Sequence, residues 1–170
     1  MSVTTPAPRP NAHRRCLAAL TAMLIPIAAM SLPGAHADNN RLNRSVVQMI
    51  SVVQYRAGCR NHIKVDPALQ LAAQWHTLDL IENPLLPPDQ GSDGSSAQSR
   101  AGAAGFRGTV AQTVAVHPAL AVSGFELINT WYRDPRSLEI MRNCANTVMG
   151  VWSENRLDRT VVVAVYGQPD

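Results

Sequence analysis

"TVMGVWSENRLDRTVVVAVYG", Thr147 to Gly167, decides the fold class. Two runs rich in β-branched residues flank the polar break "RLD", Arg156 to Asp158. That pattern predicts an antiparallel hairpin. The segments ahead of it read as helices. In "NNRLNRSVVQMISVVQYRAGC", Leu42, Val46, Met49, Ile50 and Val53 recur at helical spacing. Arg41, Arg44 and Arg56 fall largely off that stripe, and Gly58 is the expected stop. "VDPALQLAAQWHTLDLIENP" predicts a second helix, capped by Asp66, with Pro67 in its first turn. Its expected buried stripe is Ala68, Leu71, Ala72, Trp75 and Leu78, and Pro84 ends it.

Ser95 or Ser96 is placed to cap a short helix through "AQSRAGAA", with Gly105 after it. "TVAQTVAV" predicts a short strand. "HPALAVSGFELINTWYRDP" predicts a third long helix, with Leu120, Gly124, Leu127, Ile128 and Trp131 on one face. Pro135 breaks it, and "RSLEIM" predicts a further helical turn. Helices come first and strands follow with a helix between them. The class is therefore α+β, with helices packed on a small antiparallel sheet.

The start of the chain reads as a secretory leader rather than as part of that fold. Arg9, Arg14 and Arg15 precede an apolar run broken by Pro26, and "AHA" at 35–37 has the small-x-small cleavage pattern. A membrane anchor is the rival, but a spanning helix needs roughly 20 unbroken apolar residues. Arg14-Arg15 hints at twin-arginine export, with the general secretory route as the default. Cleavage after Ala37 leaves one domain, residues 38–170, large enough for a real core. It also removes three of the fifteen basic residues and none of the twelve acids, so the domain is neutral. The basic balance of the whole chain therefore implies neither nucleic acid nor an anionic membrane. After cleavage no transmembrane segment is expected.

Cys59 and Cys144 remain after cleavage, and in an exported chain an even count reads as a disulfide. Closing so long a loop stabilises by about 4–5 kcal/mol in the chain-entropy model. The rival is a metal site, since His62 follows Cys59 by three. Zinc normally takes four ligands, and no second pair stands beside Cys144 in "RNCANT".

"DQGSDGSSAQSRAGAAGF", Asp89 to Phe106, invites three chemical readings and fails each. As a calcium loop it has Gly91 at the third position and Arg100 where a bidentate glutamate belongs. It lacks the Gly-Lys-Ser/Thr ending of a phosphate loop and the G-x-S-x-G of a nucleophile elbow. His76 and Asp79 lie one helical turn apart and read as a half-buried pair. His117 reads as a cap-region residue before Pro118, and His62 as a turn residue. Trp75, Trp131 and Trp152 are expected in the core, although Trp131-Tyr132 at a helix end could rim a pocket.

The order of these pieces resembles the CAP superfamily, also called the SCP or cysteine-rich secretory protein/antigen 5/pathogenesis-related 1 domain, in its bacterial branch. The likeness runs from about Leu42 to Gly167. It rests on "LNRSVVQMISVVQYRAGCRNHIKVDPALQLAAQWHTLDL", then "GSDGSSAQSRAGAAGF", "AQTVA", "WYRDP" and "MGVW…VVVAVYG", in that order. The resemblance implies an α-β-α sandwich. It also implies a cleft lined by two histidines and two acids, which in some members bind a divalent metal.

Carried over position by position, this tetrad is degenerate. The first histidine falls on Asp89, the first glutamate on Gln112 and the second acid on Asp134. The last histidine falls on Arg136 or Ser137. His76 matches a different family histidine, outside the tetrad. Imidazole is the nitrogen ligand that favours zinc, and here the cleft would offer oxygen only. No cofactor and no tight zinc site are expected; two carboxylates would support weak divalent binding at most.

The candidate cleft is thus Asp89, Gln112, Asp134, Ser137 and Tyr132, with no catalytic residue and no metal ligand assigned. The expected function is an exported, non-catalytic binding module for a small apolar, lipid or cell-envelope ligand. The alternative is a secreted hydrolase acting on peptide or cell-wall material. The absence of the histidines weighs against it, because general acid–base work near neutral pH most often uses His. A purely structural domain with a decayed site is the third reading.

Overall fold

The computed structural model describes residues 1–2, 36–118 and 121–170. The leader and its cleavage motif, except His36 and Ala37, fall outside the described residues, as does Leu120. All the elements below belong to one compact unit, Leu32–Asp170. They are α1 (His36–Arg56), β1 (Lys64–Val65), α2 (Pro67–Glu82), α3 (Ala97–Ala103), β2 (Gly108–His117), α4 (Gly124–Arg133), α5 (Pro135–Arg142), β3 (Val148–Asn155) and β4 (Thr160–Pro169).

The hairpin is the centre of the molecule. β3 and β4 pair antiparallel from Val148↔Gly167 to Asn155↔Thr160, and β2 pairs antiparallel along the other edge of β4. The sheet order is β1-β3-β4-β2. β1 joins β3 in parallel over two residues, so the sheet is mixed rather than purely antiparallel. Strand alternation splits the run "VVVAVY" between two layers. Val162, Ala164 and Tyr166 enter one core with Val46 and Ile50 of α1, Leu127 and Trp131 of α4 and Met141 of α5. Val161, Val163 and Val165 enter the other with Leu69, Ala72, Ala73, Leu80 and Ile81 of α2 and Ala101 of α3. The result is an α-β-α sandwich whose central strand is buried on both faces. That double burial is why β4 reads as a continuous apolar run.

Asp66 caps α2 as expected, accepting from the Ala68 and Leu69 amides at 2.9 and 3.0 Å. The buried face of α2, however, is turned from the expected stripe. Leu69, Ala72, Ala73, His76, Thr77, Leu80 and Ile81 face inward. Leu71, Trp75 and Leu78 are 37%, 41% and 39% exposed. α2 is apolar nearly all round, so periodicity alone does not choose a face. Close approach chooses it: the Leu69–Gln70 backbone lies directly over Gly150 of β3, and the small Ala72 and Ala73 follow on the same side.

Two further expectations are corrected. The third long helix begins only at Gly124, where Ser123 Oγ accepts from the Glu126 amide at 3.1 Å. Of the described residues in the segment before it, only His117 joins a regular element, adding one residue to the expected strand as the end of β2. His117 is therefore the last residue of β2, opposite Thr160, and its Nε2 lies 3.1 Å from Glu126 Oε1. Of the three tryptophans only Trp131 is fully in the core. Trp152 is partly buried and donates its indole N–H to Glu154 at 3.0 Å.

Cys59 and Cys144 form a disulfide with a Cα–Cα distance of 5.2 Å. The "GSDGSS" stretch is a connector: Ser96 and Ser99 cap α3 reciprocally, and Gly94 and Gly105 take positive φ. Among the described residues, no helix is long and apolar enough to cross a membrane.

Candidate functional site

Residues 83–96 cross the surface beside α2 and are held there by polar anchors. His76 Nε2 lies 2.7 Å from the Pro88 carbonyl, so the ring carries its proton on Nε2 and donates it there. Asp79 accepts from the Ser92 amide at 2.7 Å and from the Asn83 side chain at 2.9 Å. The expected His76–Asp79 pair is thus two separate anchors for one loop. His76 is fully buried, not half-buried, and its Nδ1 has no partner.

Three of the candidate cleft residues are joined to this loop or to α5. Gln112 of β2 donates to the Pro88 carbonyl at 3.3 Å and accepts from Arg100 at 3.0 Å. Asp89 pairs with Arg136 at 3.2 Å, with both side chains largely exposed. Asp134 caps α5 by accepting from the Ser137 amide at 2.8 Å. Hydrogen bonding from Ser137, by its hydroxyl first and its amide second, lowers the pKa of the Asp134 carboxyl from its ordinary value. Ser137 contributes its backbone N–H to this cap. Tyr132 belongs to a different neighbourhood, described below.

This donor set does not suit the divalent metal of the family tetrad. Arg136 neutralises Asp89, and Asp134 is occupied by its cap. The Arg100 guanidinium, 7% exposed, already holds the Gln112 oxygen. A cation there would meet two arginines and two carboxylates that are already engaged. Among the described residues, no three His, Cys, Asp or Glu side chains converge.

Burial makes His76 sensitive to pH. Desolvation pushes its pKa below 6.5, more than the Pro88 bond and the Asp79 and Asp89 charges offset. The unfolded chain then binds more protons than the native state just below pH 6.5, so stability rises with pH there. Lowering the pH from 6.5 should therefore reduce the unfolding free energy. A urea series between pH 7 and 5 should show this slope in the wild type and lose it in His76→Gln, whose amide can still donate to Pro88. An unchanged slope in the variant would assign the effect elsewhere.

A concavity lies on the other side of the sandwich, between α1 and α4. It is a groove of about 720 Å³, within the range of small-molecule sites. Met49, Val52 and Val53 of α1, with Ala57 just beyond it, form one wall, and Phe125, Ile128 and Tyr132 of α4 the other. Val52, Phe125 and Tyr132 are 49%, 72% and 46% exposed. Arg56 and Arg142 stand at one end, in the last turns of α1 and α5. Arg142 donates to the Tyr132 hydroxyl at 2.7 Å, and its guanidinium lies 5.3 Å from that ring's centroid. Both interactions fix the cation at the groove mouth.

Sequence reasoning placed Met49, Val53 and Ile128 on buried stripes and did not identify this groove. The usable signal was apolar residues off the stripe: Val52 on α1 and Phe125 on α4.

No protein-family model matches this sequence, and no curated protein matches it. Solved structures share its fold. An outer surface protein of Borrelia burgdorferi superposes with a TM-score of 0.66 at 14% identity, covering 76% of this chain and 94% of that one. An extracellular protein of Bacillus anthracis containing an SCP domain gives 0.63 at 14% identity, over 76% of this chain and 41% of that one. A cysteine-rich secretory protein of Staphylococcus aureus gives 0.59 at 14% identity, over 76% and 39%. The chain thus spans about two fifths of the length of the latter two. The fold is that of the CAP, or SCP, domain.

Proposed function

We propose that this chain is an exported binding module that holds a small amphiphile, an apolar chain with an anionic head, in the groove between α1 and α4. The observation that carries the reading is the groove itself. Its walls are exposed apolar side chains, and its one charged end presents two arginines and no acid. Exposed apolar surface gathered in one concavity is the usual mark of a ligand site. Two guanidiniums at its mouth match a carboxylate, sulfate or phosphate head. The leader-like start of the sequence, the disulfide, and the extracellular or outer-surface description of structural neighbours support export.

Nothing in the cleft near Pro88 favours the hydrolase alternative. His76 gives its Nε2 proton to the Pro88 carbonyl, His117 meets Glu126, and the Nδ1 of neither meets a hydroxyl or a thiol.

Calorimetric titration with dodecanoate and dodecanol tests the proposal. Dodecanoate should bind one-to-one, and Val52→Asp should abolish binding. Arg56→Gln and Arg142→Gln should each weaken dodecanoate by roughly tenfold, the value of one charge-assisted hydrogen bond. Dodecanol should be nearly indifferent to both. No binding, or binding unaffected by Val52→Asp, would refute the assignment.

A further inference from the structure

We propose that the Cys59–Cys144 disulfide is a redox latch on the charged end of this groove; the inference rests on the groove reading above. Three observations meet at one place. α1 ends in a Schellman cap: the Cys59 amide donates to the Gln54 carbonyl and the Gly58 amide to the Tyr55 carbonyl, both at 3.0 Å, with Gly58 at φ +93°. The turn closed by this cap carries Arg56 and Ala57, which line the groove. Cys59 is the residue just beyond Gly58, and it is tied to Cys144, two residues after Arg142. The disulfide therefore clamps the chain just beyond α1 to the chain just beyond α5, and Arg56 and Arg142, the last residues of those helices, both line the groove.

The noncovalent hold on this junction lies one turn earlier. Gln54, 2% exposed, donates to the Asn143 and Asn146 carbonyls at 3.2 and 2.9 Å. Those bonds stay when the disulfide is cut, so α1 remains docked up to Gln54. The turn beyond it keeps its cap and a weak contact of the Cys59 sulfur with the Arg142 carbonyl at 3.6 Å, and helix ends held so lightly fray. Met49, Val52 and Val53 precede that turn. Reduction should thus release Arg56 and leave the apolar wall in place.

The bond is open to attack from one side. Cys144 is exposed, whereas Cys59 is 6% exposed. A thiolate of an external dithiol attacks Cys144 Sγ; the S–S bond breaks and the electron pair leaves on Cys59 Sγ. The second thiolate then displaces Cys144 Sγ, closing the reductant to its own cyclic disulfide. Both cysteines end as thiols after taking up protons from water, and one dithiol is oxidised.

The test is dodecanoate and dodecanol calorimetry on oxidised protein and on protein reduced with dithiothreitol, each checked by far-UV circular dichroism. Reduction should weaken dodecanoate by roughly tenfold, as loss of one guanidinium contact would, and leave dodecanol within about twofold. In Arg56→Gln, reduction should change nothing further. Unchanged dodecanoate affinity on reduction overturns the latch while the groove reading stands. An equal loss for dodecanol, an equal loss in Arg56→Gln, or global unfolding on reduction also overturns it. Absence of binding to the oxidised protein removes the groove reading and the latch together.

Discussion

Trp131→Ala should destabilise the domain by about 3–5 kcal/mol, the range for removing a large aromatic from a packed core. Trp131 is 2% exposed and sits among Val46, Ile50, Leu127, Met141 and Tyr166. Its indole N–H also donates to the Val114 carbonyl at 3.1 Å. β2 is the last strand of the sheet, and the indole supplies a donor to that carbonyl. Alanine would leave both a cavity and an unpaired carbonyl. Trp131→Phe separates the two losses, retaining most of the volume and losing about 1 kcal/mol for the hydrogen bond. Urea midpoints of the three proteins measure this. A Trp131→Ala loss under about 1 kcal/mol would mean that the α4 layer is not packed as described.

Gly150→Val should cost at least about 3 kcal/mol, the upper part of the range for overpacking. A Cβ at this position would overlap the Gln70 nitrogen and the Leu69 carbonyl carbon. These are backbone atoms, so no rotamer change relieves the clash and α2 as a whole must lift from β3. Lifting it would also disturb His76 and Asp79 on the same helix, and with them the anchors of the 83–96 loop. Gly102→Ala is the control. Nothing lies within 4 Å of its Cβ position, and it stands inside α3. That change should be neutral or stabilise by up to about 1 kcal/mol. Thermal melts compare the two directly; near-wild-type stability of Gly150→Val would contradict the close contact of α2 with β3.

The parts of this fold legible in sequence are those with one dominant signal. "RLD" between two β-branched runs gave the hairpin, and Asp66-Pro67 gave the start of α2. The misplaced face of α2 has the opposite cause. With Leu69, Leu71, Trp75, Leu78, Leu80 and Ile81 spread around the helix, only the tertiary contact at Gly150 decides which side turns in. β1 is two residues long and paired with a strand more than 80 positions away, which no local pattern encodes. His117 was read with the following proline, whereas its partner across the sheet is Thr160.

The site was legible to a similar degree. The resemblance drew attention to Asp89, Gln112 and Asp134. Chemistry argued at the same positions leads away from metal binding, because Arg100 and Arg136 sit among them. The groove is built from two segments about 70 residues apart. Its apolar residues were visible, but their facing one another was not.

The central claim is that the α1–α4 groove, and not the Pro88 cleft, receives the ligand. A two-dimensional NMR titration of the ¹⁵N-labelled oxidised protein with dodecanoate tests it most directly. The account predicts saturable shifts concentrated in residues 49–57 and 125–132 and at Arg142. Shifts centred instead on Asp89, Gln112 and Asp134, or no saturable shifts, would contradict it.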